Sequence, residues 1–154
     1  MKLNWILFLI FIPGKILEED EGVLEQTIHT NLYSAYYLTR KLAPKMIAQK
    51  NGFIFNMCSV ASLKAYENGG SYSISKFALL GFSKTLREEL KQYKIKVTSI
   101  LPGATLTDSW NGTELPESRF SKSEDIAALV YTITQLSAFS VVEDIVIRPQ
   151  LGDI

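Results

Sequence analysis

Gly52-Phe53-Ile54-Phe55-Asn56-Met57-Cys58-Ser59 is a short apolar run that begins at a glycine and ends at a serine, as a buried strand does. Thirteen residues beyond that serine, Tyr72-Ser73-Ile74-Ser75-Lys76 enters a long helical pattern. A lysine four residues after a tyrosine on a helix lies on the same face, one turn away. A phenol is a poor proton donor near neutrality, with an unperturbed pKa of about 10. A neighbouring ammonium favours the phenolate and is expected to lower that pKa toward the working range. Ser59 adds a hydroxyl able to hold a substrate oxygen near the phenol. Tyr-x-x-x-Lys by itself is weakly informative, so its weight comes from its surroundings.

Downstream, Ile95-Lys96-Val97-Thr98-Ser99-Ile100-Leu101 reads as another strand, terminated by Pro102-Gly103. Upstream, Asn31 lies in the helical stretch Thr30-Asn31-Leu32-Tyr33. The order asparagine, strand-serine, Tyr-x-x-x-Lys, strand-Pro-Gly-x-x-x-Thr resembles the short-chain dehydrogenase/reductase family, from about Ile12 to Arg148. The combined pattern is far more specific than any of its parts.

That resemblance implies an α/β fold, a Rossmann-like doubly wound parallel sheet. It also implies an NAD- or NADP-dependent oxidoreductase that interconverts a small-molecule carbonyl and an alcohol by hydride transfer. Tyr72 matches the family's general acid/base. Lys76 matches the lysine that lowers the phenol pKa and hydrogen-bonds the nicotinamide ribose. Ser59 matches the serine that orients the substrate oxygen, with Ser62 a competitor at the wrong spacing. Asn31 matches the asparagine that anchors a water linking the lysine to solvent. Pro102 and Gly103 match the turn passing the nicotinamide, Thr105 contributes backbone, and Thr107 matches a threonine that contacts the carboxamide. Cofactor contacts are thus expected from Tyr72, Lys76, Pro102, Gly103, Thr105 and Thr107. Loop 104–121 corresponds to the substrate lid.

Several features depart from the family. The glycines stand at 14, 22, 52, 69, 70, 81, 103, 112 and 152, and no arrangement of them gives a G-x-x-x-G-x-G or G-x-G-x-x-G turn between strand and helix. The Asn-Asn-Ala-Gly segment that closes the family's fourth strand is replaced by Leu7-Phe8-Leu9-Ile10-Phe11-Ile12-Pro13-Gly14, and the end reads Arg148-Pro149-Gln150-Leu151-Gly152-Asp153-Ile154 in place of Asp-Gly-Gly. The expectation is a single partial domain over 1–154, equivalent to strands four to seven with their helices. On this reading cofactor binding by the chain alone is not expected.

The element pattern is strand 3–12, helix 18–50 with a break near 27–30, strand 52–58, helix 71–93, strand 95–101, loop 102–121, helix 123–137 and strand 143–148. Alternating strands and helices imply a parallel sheet with right-handed crossovers. Pro44 is expected to kink its helix, Ser121-x-x-Glu124 to cap the last one, and Gly81 to mark a close backbone approach.

With 154 residues, 47% hydrophobic content and 16 acidic against 16 basic residues, the composition is that of an ordinary globular domain. Zero net charge and the lack of a basic stripe argue against nucleic acid. The single cysteine, Cys58, excludes an internal disulfide and reads as a packed core thiol. One His and one Cys leave a His/Cys zinc site short of ligands, and His29 reads as a packing histidine. The apolar run 3–12 is too short to span a bilayer. It reads as a buried strand and a cytoplasmic protein, with a signal peptide over 1–14 and secretion as the alternative. A second reading of the whole is a non-catalytic fragment or interaction module. Helices 30–50 and 71–93, which form the subunit interface in the resembled family, are then the expected homo-oligomer contact.

Overall fold

The computed structural model describes residues 3–6, as backbone, and 9–154. Four parallel strands form one sheet in the order β1 (Leu3–Ile6), β2 (Gly52–Met57), β3 (Ile95–Pro102) and β4 (Asp144–Ile147). The helices are α1 (Val23–Ile28), α2 (Ser34–Gln49), α3 (Gly70–Leu90) and α4 (Ser123–Thr134). The architecture is the expected Rossmann-like α/β parallel sheet with flanking helices.

Strand side chains alternate between faces, and the sequence fills both with apolar residues. Ile54 of β2, with Ile95, Val97 and Leu101 of β3, packs against Ala35 and Met46 of α2 and Leu79, Leu80, Leu86 and Leu90 of α3. Phe53 and Phe55, with Ile100, face Ile126, Val130 and Ile133 of α4 on the opposite side. Each such side chain contributes about 1.5–3 kcal/mol on burial. The register that sets Ile54 opposite Val97 is therefore fixed, because a one-residue slip would exchange the two faces.

Arg87 ties α3 to the far half of the sheet. Its guanidinium donates to the Val97 carbonyl (3.0 Å), Ser99 Oγ (3.2 Å) and Asp144 Oδ1 (2.7 Å), and to the Glu143 carbonyl. Burial alone would raise the Asp144 pKa, but hydrogen bonds from Arg87 and Ser99 and the guanidinium charge hold it below its ordinary value.

Four expectations are corrected. The first strand is described over Leu3–Ile6 and residues 9–12 are not strand, while residues 7 and 8 lie outside the described residues. Ile10 cannot extend a ladder because the side-chain amide of Asn31 takes both its backbone N–H and its carbonyl. Ser121 does not cap α4, whose N-cap is Lys122 without a side-chain bond. Its backbone is committed to Ala104 and Leu106 instead. The capping box lies at the short turn Val60–Ser62, with Ser59 as its N-cap. Gly81 marks no close approach, since a Cβ there would meet nothing within 4 Å. His29 is exposed and meets Tyr33 edge-on rather than packing in the core.

The expected break at 27–30 is a π-helical turn, His29–Tyr33, joining α1 to α2. Helix α2 continues through Pro44 to Gln49. Among the described residues no helix is long and apolar enough to cross a membrane.

Candidate active site

Strand β2 and helix α3 bring Ser59, Tyr72 and Lys76 together. Ser59 follows the buried end of β2, and its backbone is fixed reciprocally. Ser59 Oγ accepts from the Ala61 N–H (3.1 Å), and Ser62 Oγ accepts from the Ser59 N–H (3.2 Å). Ser62 is thus the residue that holds Ser59 in place.

Tyr72 sits in the first turn of α3, 9% exposed, with the Phe11 ring edge-on at 4.9 Å. Lys76 is wholly buried. Its Nζ donates to the Met57 carbonyl at 2.8 Å and lies 5.6 Å from the centre of the Tyr72 ring. A buried ammonium over an aromatic face with one carbonyl partner is incompletely solvated. Burial accordingly pushes the Lys76 pKa down to about 8.

Burial pushes the Tyr72 phenol above its ordinary value, a hydrogen bond with Ser59 pulls it part of the way back, and the nearby Cys58 raises it. The expected lowering of the phenol by Lys76 is therefore corrected. Both groups are desolvated, so each favours its neutral form.

Asn31 lies in the π-helical turn, 1% exposed. Its Oδ1 accepts from the Ile10 N–H at 2.8 Å, while Nδ2 donates to the Ile10 carbonyl (3.0 Å) and Ser75 Oγ (2.9 Å). Ser75 Oγ in turn donates to the Tyr72 carbonyl at 2.7 Å. π-Helical turns often occur at functional sites, because the extra residue re-aims a side chain. Ser75 was not singled out in the sequence. The available signal was its place three residues after Tyr72, inside the Tyr-x-x-x-Lys span.

Pro102 ends β3 and Gly103 follows it, where the Gly103 N–H donates to the Ile147 carbonyl at 2.7 Å. A Cβ at Gly103 would come within 2.8 Å of Asp153 Oδ1, the end of a partly exposed side chain that would have to swing aside. Thr105 Oγ1 donates to the Gly103 carbonyl (3.1 Å), and Thr107 Oγ1 pairs with Ser109 Oγ (2.7 Å) in an exposed turn. These four residues follow one another along the end of β3 and its loop, on a different element from Ser59, Tyr72 and Lys76.

One neighbour, Tyr66, was missed, while Cys58 is the buried core thiol expected. Burial pushes the Tyr66 phenol up to about 12, and the charge of Tyr72 adds to the rise, so the two phenols are electrostatically coupled. Cys58, buried beside Ser59, is pushed up to about 11 chiefly by burial. This thiol is inert at neutral pH. An open cavity of about 420 Å³ lies between Ile16, Ala65, Tyr66 and the α3 residues Ser73, Ile74 and Phe77. Ser59, Tyr72 and Lys76 do not line it.

A short chain dehydrogenase family model matches residues 10–117, a span that includes Asn31, Ser59, Tyr72, Lys76 and the 102–107 loop. The sepiapterin reductase of Chlorobaculum tepidum is 34% identical over 142 residues, covering 92% of this chain and 58% of the relative. The 3-ketodihydrosphingosine reductase of Dictyostelium discoideum is 32% identical over 144 residues, covering 92% of this chain and 42% of the relative. The chain thus spans about half the length of these curated relatives. Among solved structures, a metagenomic short-chain oxidoreductase in complex with NADP is 28% identical with a TM-score of 0.73, over 90% of this chain and 57% of that one. A 4-hydroxyisoleucine dehydrogenase complexed with NADH is 25% identical with a TM-score of 0.79, over 95% of this chain and 67% of that one. The matched span, the parallel sheet and the relatives agree: the chain belongs to the short-chain dehydrogenase family.

Proposed function

We propose that these residues form the acid–base and nicotinamide-side part of an NAD(P)-dependent site that interconverts a small-molecule carbonyl and an alcohol. The observation that carries this reading is the buried Tyr72 phenol, whose pKa Ser59 lowers, with the Lys76 ammonium 5.6 Å from the centre of its ring. Tyr72 gives a proton to the carbonyl oxygen during reduction and takes it back during oxidation. Ser59, held by Ser62, orients that oxygen. Lys76, with its ammonium over the Tyr72 ring, would hold the ribose on the nicotinamide side. Asn31 and Ser75 fix the first turn of α3 through the Tyr72 carbonyl.

The chain's residues fit the nicotinamide end of such a cofactor. Lys76 carries two N–H donors beyond the one given to Met57, and ribose hydroxyls can accept them. Pro102, Gly103, Thr105 and Thr107 would hold the ring and its carboxamide. When bound, the nicotinamide supplies or accepts the hydride. Nothing in these 154 residues provides the Gly-rich turn that holds a pyrophosphate on a helix start, so the chain by itself is not expected to hold the other half. The matched relatives are reductases named for different substrates. They support a reaction class rather than a particular substrate.

A second reading concerns assembly. Tyr36 and Tyr37 of α2, with Ile74 and Phe77 of α3, are exposed aromatic and aliphatic residues on the two helices expected to meet another copy. We infer a homo-oligomer through helices 30–50 and 71–93, in the cytoplasm, where a single buried thiol stays reduced.

The test of the chemistry is Tyr72→Phe, with the chain fused behind the Gly-rich half of a relative. Turnover of carbonyls with NADPH or NADH should fall by about 10²–10⁴-fold, the usual contribution of a general acid. Near-normal turnover in the Phe variant would remove Tyr72 from the reaction.

A further inference from the structure

Residues 10–19 run back across the start of α3 and are attached there at separate points. The Gly14 N–H donates to the Asn68 carbonyl at 2.9 Å, and Gly14 forms a parallel bridge with Gly69. Glu19 Oε1 accepts from the Ser71 N–H at 2.8 Å, and Glu19 Oε2 accepts from Ser71 Oγ. From the same segment, Phe11 covers the Tyr72 ring edge-on. Helix α3 has no cap of its own, since its N-cap residue is Gly69 and makes no side-chain hydrogen bond. Its free first-turn N–H is instead satisfied by a carboxylate 52 residues upstream in the chain. The approach is closed to any side chain at position 70. Gly70 has φ +30°, and a Cβ there would fall 2.0 Å from Glu19 Oε1 and 2.6 Å from the Gly14 carbonyl oxygen.

We propose that Glu19 is a positioning residue for Tyr72: by bonding Ser71, the adjacent residue, it clamps segment 10–19 onto α3 and so keeps the phenol under Phe11. The inference rests on Tyr72 being the proton donor of the proposed reaction. Its physical content, a coupling between Glu19 and the setting of Tyr72, does not depend on catalysis. The groups that face the phenol are Lys76 on its own helix, Ser59 and Cys58 after β2, and Tyr66 in the loop before α3. The hydrogen-bond partner of Glu19 is Ser71 and none of these groups, and Glu19→Gln, which removes the charge but keeps an acceptor, separates loosening of the clamp from loss of the carboxylate's field.

The experiment follows the Tyr72 phenol in the 154-residue chain by NMR of ring-labelled tyrosine, assigned with Tyr72→Phe, across an alkaline titration. Glu19→Ala should lower the Tyr72 titration midpoint toward its ordinary value, because burial is what raises it. It should also speed hydrogen exchange of the first α3 turn by roughly fivefold, the loss expected for a helix cap. Glu19→Gln keeps an oxygen that can accept from the Ser71 N–H and should restore both readouts. An unchanged Tyr72 midpoint in Glu19→Ala overturns the proposal. Collapse of the whole fold in Glu19→Ala also overturns it, because Glu19 would then support the whole molecule. Full turnover by Tyr72→Phe in the fused enzyme would defeat the functional reading while leaving this coupling measurable.

Discussion

Lys76 carries the least comfortable charge in the molecule, and its cost has a readable pH signature. Its pKa in the fold is about 8, against about 10.4 unfolded. Between those values the unfolded chain holds the extra proton, so stability rises with pH across that window. Below about pH 8 the buried ammonium costs roughly 3 kcal/mol in the absence of a ligand. Cys58 acts in the opposite sense. Its thiol is raised to about 11 in the fold, so the unfolded state loses its proton first and stability falls above about pH 9. Tyr72, raised by burial, adds to that fall above about pH 10. Urea unfolding should therefore show stability climbing from pH 7.5 to a plateau near 9–10 and then dropping. In Lys76→Met the climb should vanish while the alkaline fall remains. A climb that persists in the Met variant would place the titrating group elsewhere.

At the scale of elements, two glycines of α3 make opposite demands. Gly70 takes positive φ under the Glu19 and Gly14 oxygens, whereas Gly81 faces open space in mid-helix. Gly70→Ala should destabilise the chain by about 2 kcal/mol or more, through steric overlap and backbone strain. Gly81→Ala should stabilise it by about 0.5–1 kcal/mol, the ordinary gain in helix propensity. Denaturation midpoints check the pair, and equal shifts of one sign would contradict this account of the helix start. The same contrast shows what the sequence could reveal. Strands β2 and β3 and helix α3 were legible because apolar runs and helical spacing are local signals. The Tyr72, Lys76 and Ser59 constellation was legible because its spacing is fixed by one strand and one helix turn. Glu19 and Ser75 were not, since each acts through a partner that only the tertiary fold brings near. Ser121 misled for the same reason: its capping pattern is local, but its backbone is claimed by residues 104 and 106.

At the scale of the molecule, the residues proposed for acid–base chemistry and for the nicotinamide lie on elements tied together by Arg87, which bridges α3, β3 and β4. On the proposed reading this frame would hold one end of a dinucleotide. A pyrophosphate requires backbone N–H donors at a Gly-rich helix start. In this chain the start of α3, which holds Gly69 and Gly70, has the Ser71 N–H of its first turn taken by Glu19. The 154-residue chain should therefore bind NADPH or NADH only weakly, with no saturation in the micromolar range. Meanwhile β1 is paired only to β2 among the described residues, leaving one strand edge unpaired, and aromatic residues of α2 and α3 face outward. Unpaired edges and contiguous apolar faces both favour association. Fluorescence titration with each nucleotide, alongside sedimentation velocity over a concentration series, tests the two expectations together. The expected outcome is a concentration-dependent rise in sedimentation coefficient and no saturable nucleotide signal. A monomer that saturates at micromolar NADPH would mean that phosphate contacts arise from residues outside the Gly-rich logic, and the loop at 102–107 would be the first place to look for them.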